Sequence, residues 1–378
     1  MRWIEQQRNF LDYTLASLAR RKAKNGVLLL AYALVIFSLA SALFFTQAMK
    51  REAAELLAEA PEMVVQRMLA GRHEHVPERR MEDLRAIPGV RAVEPRLWGY
   101  YYNPASGANY TVLARRDFAH GDGQVLIGAG VARTWPGAGQ GKLIFRGHDG
   151  GPFVLAVAGT LDASTELVSS DLIVISESAF RLLFGMPFGM ATDLALTVRN
   201  AGESQVIAEK IVRLYPDSRP ILREEMLRTY AAAFDWKGGY MLVLLAGSLL
   251  AFLIFAWDRA AGLSAEERAE IGVLKAVGWD TSHVLCAKLW EGLAVSLSAF
   301  LLGVLAAWAH VFLASAALFE HALKGWAVLY PRFELRPALD ATQLASLFLL
   351  TVLPYTLITL VPVWRAAIAD PDAAMRHA

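Results

Sequence analysis

The sequence predicts a membrane α-helical protein with four transmembrane helices and an α+β extracytoplasmic domain inserted between the first and second spans. Three observations carry that prediction. Apolar residues make up 55% of the 378 and are gathered in blocks rather than spread along the chain. A soluble-looking stretch of strand-like and helix-like runs, 49–235, lies between the first two blocks. Lysine and arginine gather beside the blocks in a pattern that assigns sides.

The elements follow in chain order. Residues 1–25 read as an amphipathic helix: Trp3, Ile4, Phe10, Leu11, Leu15 and Leu18 recur at helical spacing, and Arg20, Arg21, Lys22 and Lys24 follow. Such a helix suits the interface of an anionic membrane, and plain continuation of the first span is the alternative. A bilayer core needs about 20 apolar residues at about 1.5 Å each. The first run, 26–48, meets this without a charge, and it is too long for the apolar region of a cleaved signal peptide. The second lies at 236–258, the third at 284–318 and the fourth at 342–364, where Pro354 and Pro362 are expected to kink or end the helix. The charges of the third, Lys288 and Glu291, stand at its start, where an interfacial structural role is expected. His310 is expected at the interface near its other end.

Basic residues precede the first span, lie in the 259–283 link (Arg259, Arg268, Lys275) and follow the fourth (Arg365, Arg376). Alternating spans then place both termini, the link and the 365–378 tail in the cytoplasm. The 49–235 domain and the 319–341 loop fall outside, which in a bacterial inner membrane is the periplasm.

Within 49–235, a helical stalk over Lys50–Ala60 leads to two strand-helix-strand units, 63–97 and 193–222. The glycine-rich middle, 114–190, reads as a separate β-rich subdomain, and a helix from about Arg223 leads into the second span. Cys286 is the only cysteine, so the domain folds without an internal disulfide. The net charge of +1 gives no argument for nucleic-acid binding.

Chemistry is sparse. His73 and His75 share a face if they lie on a strand, with Met63, Met68 and Glu74 nearby, and can then bind a metal. Beside Gly71 and Pro77 they also fit a solvated loop, and two ligands are fewer than a closed site needs. The run Trp98, Tyr100, Tyr101, Tyr102 suits contact with lipid or an apolar substrate, or a strand edge packed into the core. Gly137, Gly139, Gly141 and Lys142 fall short of a phosphate loop, because Pro136 and Leu143 occupy the positions that need Gly and Ser or Thr. The chain carries no nucleophile elbow and no zinc-protease motif. No enzyme activity is expected of it.

The 259–283 link predicts a short helix. Ser264 and Glu267 form a capping-box pattern, Ile271 and Leu274 share one face, and Gly278 fits the stop. Here the sequence resembles the FtsX-like permeases of ABC transporters, the MacB-like (type VII) group among them. The resemblance rests on Arg268, Glu270, Ile271, Gly272, Val273, Leu274, Lys275, Ala276, Val277 and Gly278 in the link, and on Glu291 at the start of the third span. It rests also on the closing Pro362, Arg365, Ala366, Asp370, Pro371, Ala374, Met375 and Arg376, and on the layout of the whole chain.

The resemblance implies a permease subunit without a cofactor of its own. ATP and Mg would sit on a partner ABC-type ATPase, whose groove would receive the link helix. Arg268, Glu270, Ile271, Gly272, Leu274, Lys275 and Gly278 would couple the two chains, while Glu291, Pro362, Asp370 and Pro371 would be structural. A homodimer or a paralogous pair would transmit motion to the outer domain, for export or extraction of an envelope substrate, with a periplasmic adaptor or substrate protein as a possible further partner. The rival readings are an FtsX-like regulator of an envelope enzyme and a metal-handling envelope protein.

Overall fold

The computed structural model describes residues 2–58, 60–161, 166–261, 265–318, 328–329 and 335–368. These fall into two compact units: Met1–Ala48 with Phe234–Ala317 and Arg336–Ala378, and Met49–Ala233 with Leu318–Leu335.

Along the chain, α1 (Arg2–Arg20) and α2 (Lys22–Ala58) come first. Then follow β1 (Met63–Leu69), β2 (Arg72–Glu74), β3 (Val76–Pro77), α3 (Arg80–Arg85), β4 (Val90–Arg96), β5 (Trp98–Asn103), β6 (Ala108–Arg115) and β7 (Gln124–Ile127). The middle holds α4 (Ala129–Thr134), β8 (Lys142–Arg146), β9 (Pro152–Thr160), α5 (Glu166–Ser169), β10 (Leu172–Ser176) and α6 (Glu177–Phe184). The rest comprises β11 (Met190–Ala191), β12 (Asp193–Val198), α7 (Ser204–Leu214), β13 (Ser218–Leu222), α8 (Arg223–Ala261), α9 (Ala265–Ala276), α10 (Thr281–Trp308) and α11 (Ala341–Ile368).

The α+β unit holds two large sheets. One runs β13-β1-β12-β4, with β2 on β1, and all its pairs are antiparallel. The two predicted strand-helix-strand units, β1-α3-β4 and β12-α7-β13, thus interleave in a single sheet. The other runs β5-β6-β10-β7-β9-β8 and mixes parallel with antiparallel pairs. Its edge strand β8 alternates: Leu143 and Phe145 are buried while Lys142, Ile144 and Arg146 face out. Its inner strand β10 is buried on both faces and accordingly apolar nearly throughout.

The middle segment does not form a core of its own. One contiguous apolar cluster runs from Met63 and Leu194 on the first sheet, with Ile211 of α7, to Val112, Phe145 and Ile173 on the second. The second sheet also begins earlier than expected, at Trp98, because the aromatic run is its edge strand. Tyr101 packs on Trp135 and Phe145, while Tyr100 and Tyr102 face out.

Charged groups close the seams of this unit. Arg181 is 5% exposed and donates to Glu78, Glu177 and the carbonyls of Pro187 and Met190. Arg116 bridges the same two glutamates from outside. Asp193, fully buried, accepts two bonds from Arg96 and one from the Trp98 indole. Asp217 takes Arg80 and Arg67, whose hydrogen bonds hold its carboxyl at about 2, below the ordinary 3.8.

In the other unit, three helices among the described residues are long and apolar enough to cross a membrane: Asn25–Glu52, Thr281–Leu313 and Ala341–Trp364. The expected second span falls on α8, where the described apolar stretch is the shorter Ala246–Asp258. Tyr32 stacks between Phe252 (4.3 Å) and Tyr355 (4.9 Å) and donates to the Thr351 carbonyl at 2.6 Å, which ties α2, α8 and α11 together. A Cβ on Gly303 would lie 2.8 Å from the Ala33 carbonyl oxygen, so α10 meets α2 backbone to backbone there.

The α11 helix runs through both Pro354 and Pro362, so of the expected kink or end the end does not occur. His310, three residues before the end of its span, is buried among helices: it lies in a π-helical turn, Ala309–Leu313, with Nδ1 3.2 Å from Ser41 Oγ and its ring against Phe37.

Candidate functional site

The residues singled out in the link meet at a joint between α1, α9 and the start of α10. The termination of α9 explains its position. Gly278 adopts φ +102°, its N–H donates to the Lys275 carbonyl, and the Trp279 N–H donates to the Leu274 carbonyl at 3.0 Å. This pair of bonds is a Schellman stop, which only a residue at ease with positive φ can make. The turn folds Trp279 back against Ile271 and Val284, and a small buried cluster forms between α9 and α10.

From the other side α1 closes on the same cluster. Phe10 meets Trp279 edge to face at 5.4 Å, and Tyr13 lies at the same distance. Thr14 donates to the Ala287 carbonyl at 3.1 Å. Gln7 Oε1 accepts from the Trp290 indole at 2.9 Å and from the Cys286 thiol.

Glu270 is the polar centre. Its Oε1 accepts from the Tyr13 hydroxyl at 2.7 Å and from Arg20 at 3.1 Å, and its Oε2 accepts from Arg21 at 3.0 Å. Burial first, then the Glu270 carboxylate, pushes the Tyr13 phenol up to about 12. Tyr13 therefore stays a donor throughout the physiological range. Beside it Lys288 pairs with Glu291 at 2.6 Å, one turn apart on α10. The cleft among Tyr13, Ser17, Glu270, Leu274, Lys288 and Glu291 holds about 20 Å³, room for a single water. It is a joint between helices and not a ligand pocket.

The predicted coupling residues therefore divide. Glu270, Ile271 and Gly272 face inward; Ile271 is 5% exposed and Gly272 is buried. Leu274 and Lys275 are half-buried. Val273, Ala276, Val277 and Gly278 face out, with Val277 76% exposed. Arg268 sits in the first turns of α9, and its side chain, like Ser264, Asp370 and Pro371, lies outside the described residues. Pro362 is buried in α11.

Sequence reading missed Tyr13 and Trp279 as parts of this joint and took Arg20 and Arg21 for lipid contacts. Their partner lies about 250 residues away, and no local pattern signals such a pairing.

His73 and His75 are exposed on or beside β2, His73 pairing with Met68 across to β1 and stacking over Trp98 at 6.3 Å. Among the described residues no group of three His, Cys, Asp or Glu side chains is placed to hold a metal.

The fold and this joint define a multi-pass membrane protein with a large α+β domain inserted after its first span. No family model and no curated protein matches the sequence. Among solved structures the chain is similar to the extracellular domain of the noncanonic ABC-type transporter YknZ from Gram-positive bacteria. The two share 13% identity at a TM-score of 0.28, over 42% of this chain and 98% of that one.

Proposed function

We propose that this chain is the permease subunit of a MacB-like ABC transporter, with four spans, both termini in the cytoplasm and the α+β domain in the periplasm. As a dimer it would couple ATP hydrolysis on a separate ATPase subunit to movement of that domain. The work would be export or extraction of an envelope substrate: a lipid, lipoprotein, peptide or hydrophobic compound.

The observation that carries this reading is α9: a short helix between two long ones, seated through Glu270, Ile271 and Gly272, with Val273, Ala276 and the following Val277 facing out. A helix held in this way can take a push from a partner and pass it to α10 and α1 as one body. The test is co-purification of the full chain from its native host in mild detergent, with mass spectrometry of the recovered proteins. Recovery of an ABC-type ATPase whose hydrolysis the chain stimulates is expected. Recovery of an ATPase together with an envelope hydrolase would favour the FtsX-like regulator. Absence of any ATPase would overturn the permease reading.

A further inference from the structure

In the resemblance, Glu270 is counted among the residues that meet the ATPase. The structure gives its carboxylate a different use, because three donors from α1 and the turn after it already converge there. We propose that α1 is the element that positions α9: Tyr13, Arg20 and Arg21 hold Glu270, and this grip sets the outward face Val273, Ala276 and Val277 in place. These four polar residues are positioning residues, and none of them is a contact to the partner. That α9 addresses an ATPase rests on the reading above; that α1 holds α9 does not.

The argument begins with length. At 12 residues α9 is marginal as an isolated helix, so its order must come from its neighbours. Its apolar seat is small, with Ile271 and Val284 buried and Trp279 packed on them. Placing one carboxylate among three donors adds a directional hold that this seat lacks. A single exposed ion pair contributes little, because water and salt screen it. Here the carboxylate is only 24% exposed and is shared, so the hold exceeds that of a lone surface pair.

The faces of α1 agree with this role. At 100° per residue, Gln7, Phe10, Tyr13, Thr14 and Ser17 form one side, and these are the residues that meet α9 and α10 or line the cleft. Ile4 and Leu15, 67% and 50% exposed, lie on a second side turned away from them. Arg8, Asp12, Ala16 and Ala19 form a third, exposed and carrying two charges and two alanines. A purely interfacial helix needs two faces; the extra one on α1 is the face that grips.

The test is hydrogen exchange, read by mass spectrometry, of the full chain in nanodiscs of phosphatidylethanolamine and phosphatidylglycerol. In Arg20→Ala/Arg21→Ala and in Glu270→Gln, the amides of residues 271–277 are expected to exchange about 10-fold faster than in wild type, while peptides from β6 and β10 stay unchanged. Arg20→Lys/Arg21→Lys should restore most of the protection, because lysine keeps the charge; a merely structural loss would not be rescued in this way. Tyr13→Phe removes one donor and no packing, so it decides the matter if the double alanine variant fails to fold; about 2–3-fold faster exchange is expected. Unchanged exchange over 271–277 in both Glu270→Gln and Tyr13→Phe would overturn the proposal. If exchange rises but stimulation of the co-purified ATPase does not fall, the positioning role stands and the permease reading fails.

Discussion

In the α+β domain, Leu143, Phe145 and Leu155 are at most 1% exposed, and their strand neighbours Lys142 and Arg146 face out. In the membrane unit, Leu301, Leu305 and Leu353 are half-exposed or more, while Ser41, Ser296 and Thr351 are wholly buried. The same side chain has opposite addresses in the two units because the surroundings differ. In water, leucine gains by leaving the solvent. In lipid, the solvent is as apolar as leucine, and only close packing and hydrogen bonds distinguish inside from outside. The domain is therefore held by a core and its charged seams. The membrane unit is held by close backbone approach at Gly303 and by hydroxyl bonds such as Tyr32 to Thr351.

The largest effect that would test this contrast is on a charged seam of the domain. Arg181→Ala removes the buried donor shared by Glu78, Glu177 and the carbonyls of Pro187 and Met190, leaving the two glutamates only Arg116 from outside, and should destabilise the domain by about 3–5 kcal/mol. Leu155→Ala, in the apolar core, should cost about 3 kcal/mol. Protease resistance of the full chain against temperature reads both, and an Arg181→Ala chain as stable as wild type would remove the seam from the account. Next comes the membrane unit's own packing. Gly303→Ala places a Cβ 2.8 Å from the Ala33 carbonyl oxygen and 2.9 Å from the Ile36 Cβ. It should cost about 1–3 kcal/mol, seen as a lower aggregation temperature in detergent.

A smaller effect is tied to pH. Because Arg80 and Arg67 hold the Asp217 carboxyl at about 2, against 3.8 ordinarily, the folded state binds its proton less readily than the unfolded state. The stabilisation is therefore complete above about pH 4 and is lost as pH falls towards 2. Asp217→Asn should weaken the domain at neutral pH and flatten this part of the acid limb. An acid limb identical to wild type would mean that the two arginines do not act through Asp217.

The contrast also explains how much the sequence discloses. The strand-helix-strand units expected at 63–97 and 193–222 return as β1-α3-β4 and β12-α7-β13 within a residue or so of those bounds, because a half-buried sheet writes its pattern into the chain. The short β2, β3 and β11 have too few residues to carry a period. The long helices were legible from hydropathy. In contrast, the burial of His310 and the continuity of α11 through two prolines depend on neighbours that hydropathy does not report. The joint at α9 was half legible. The stop at Gly278 is a local rule, and it was readable. The grip on Glu270 joins residues about 250 apart, and the basic cluster that supplies it looks the same whether it meets lipid or a carboxylate.

The smallest effect tests the comparison most sharply, because it repeats one substitution in the other solvent. Leu353 lies in the Ala341–Trp364 span and is 50% exposed. If its outer surface meets lipid, Leu353→Ala exchanges contact with a protein methyl group for contact with an acyl chain, and little free energy changes. A shift under about 0.5 kcal/mol is expected, several-fold less than for Leu155→Ala. Were Leu353→Ala as damaging as Leu155→Ala, that face of α11 would have to be covered by protein. A second copy of the chain would be the simplest cover, and cross-linking from a cysteine placed at position 353, in a chain carrying Cys286→Ser, would then report it directly.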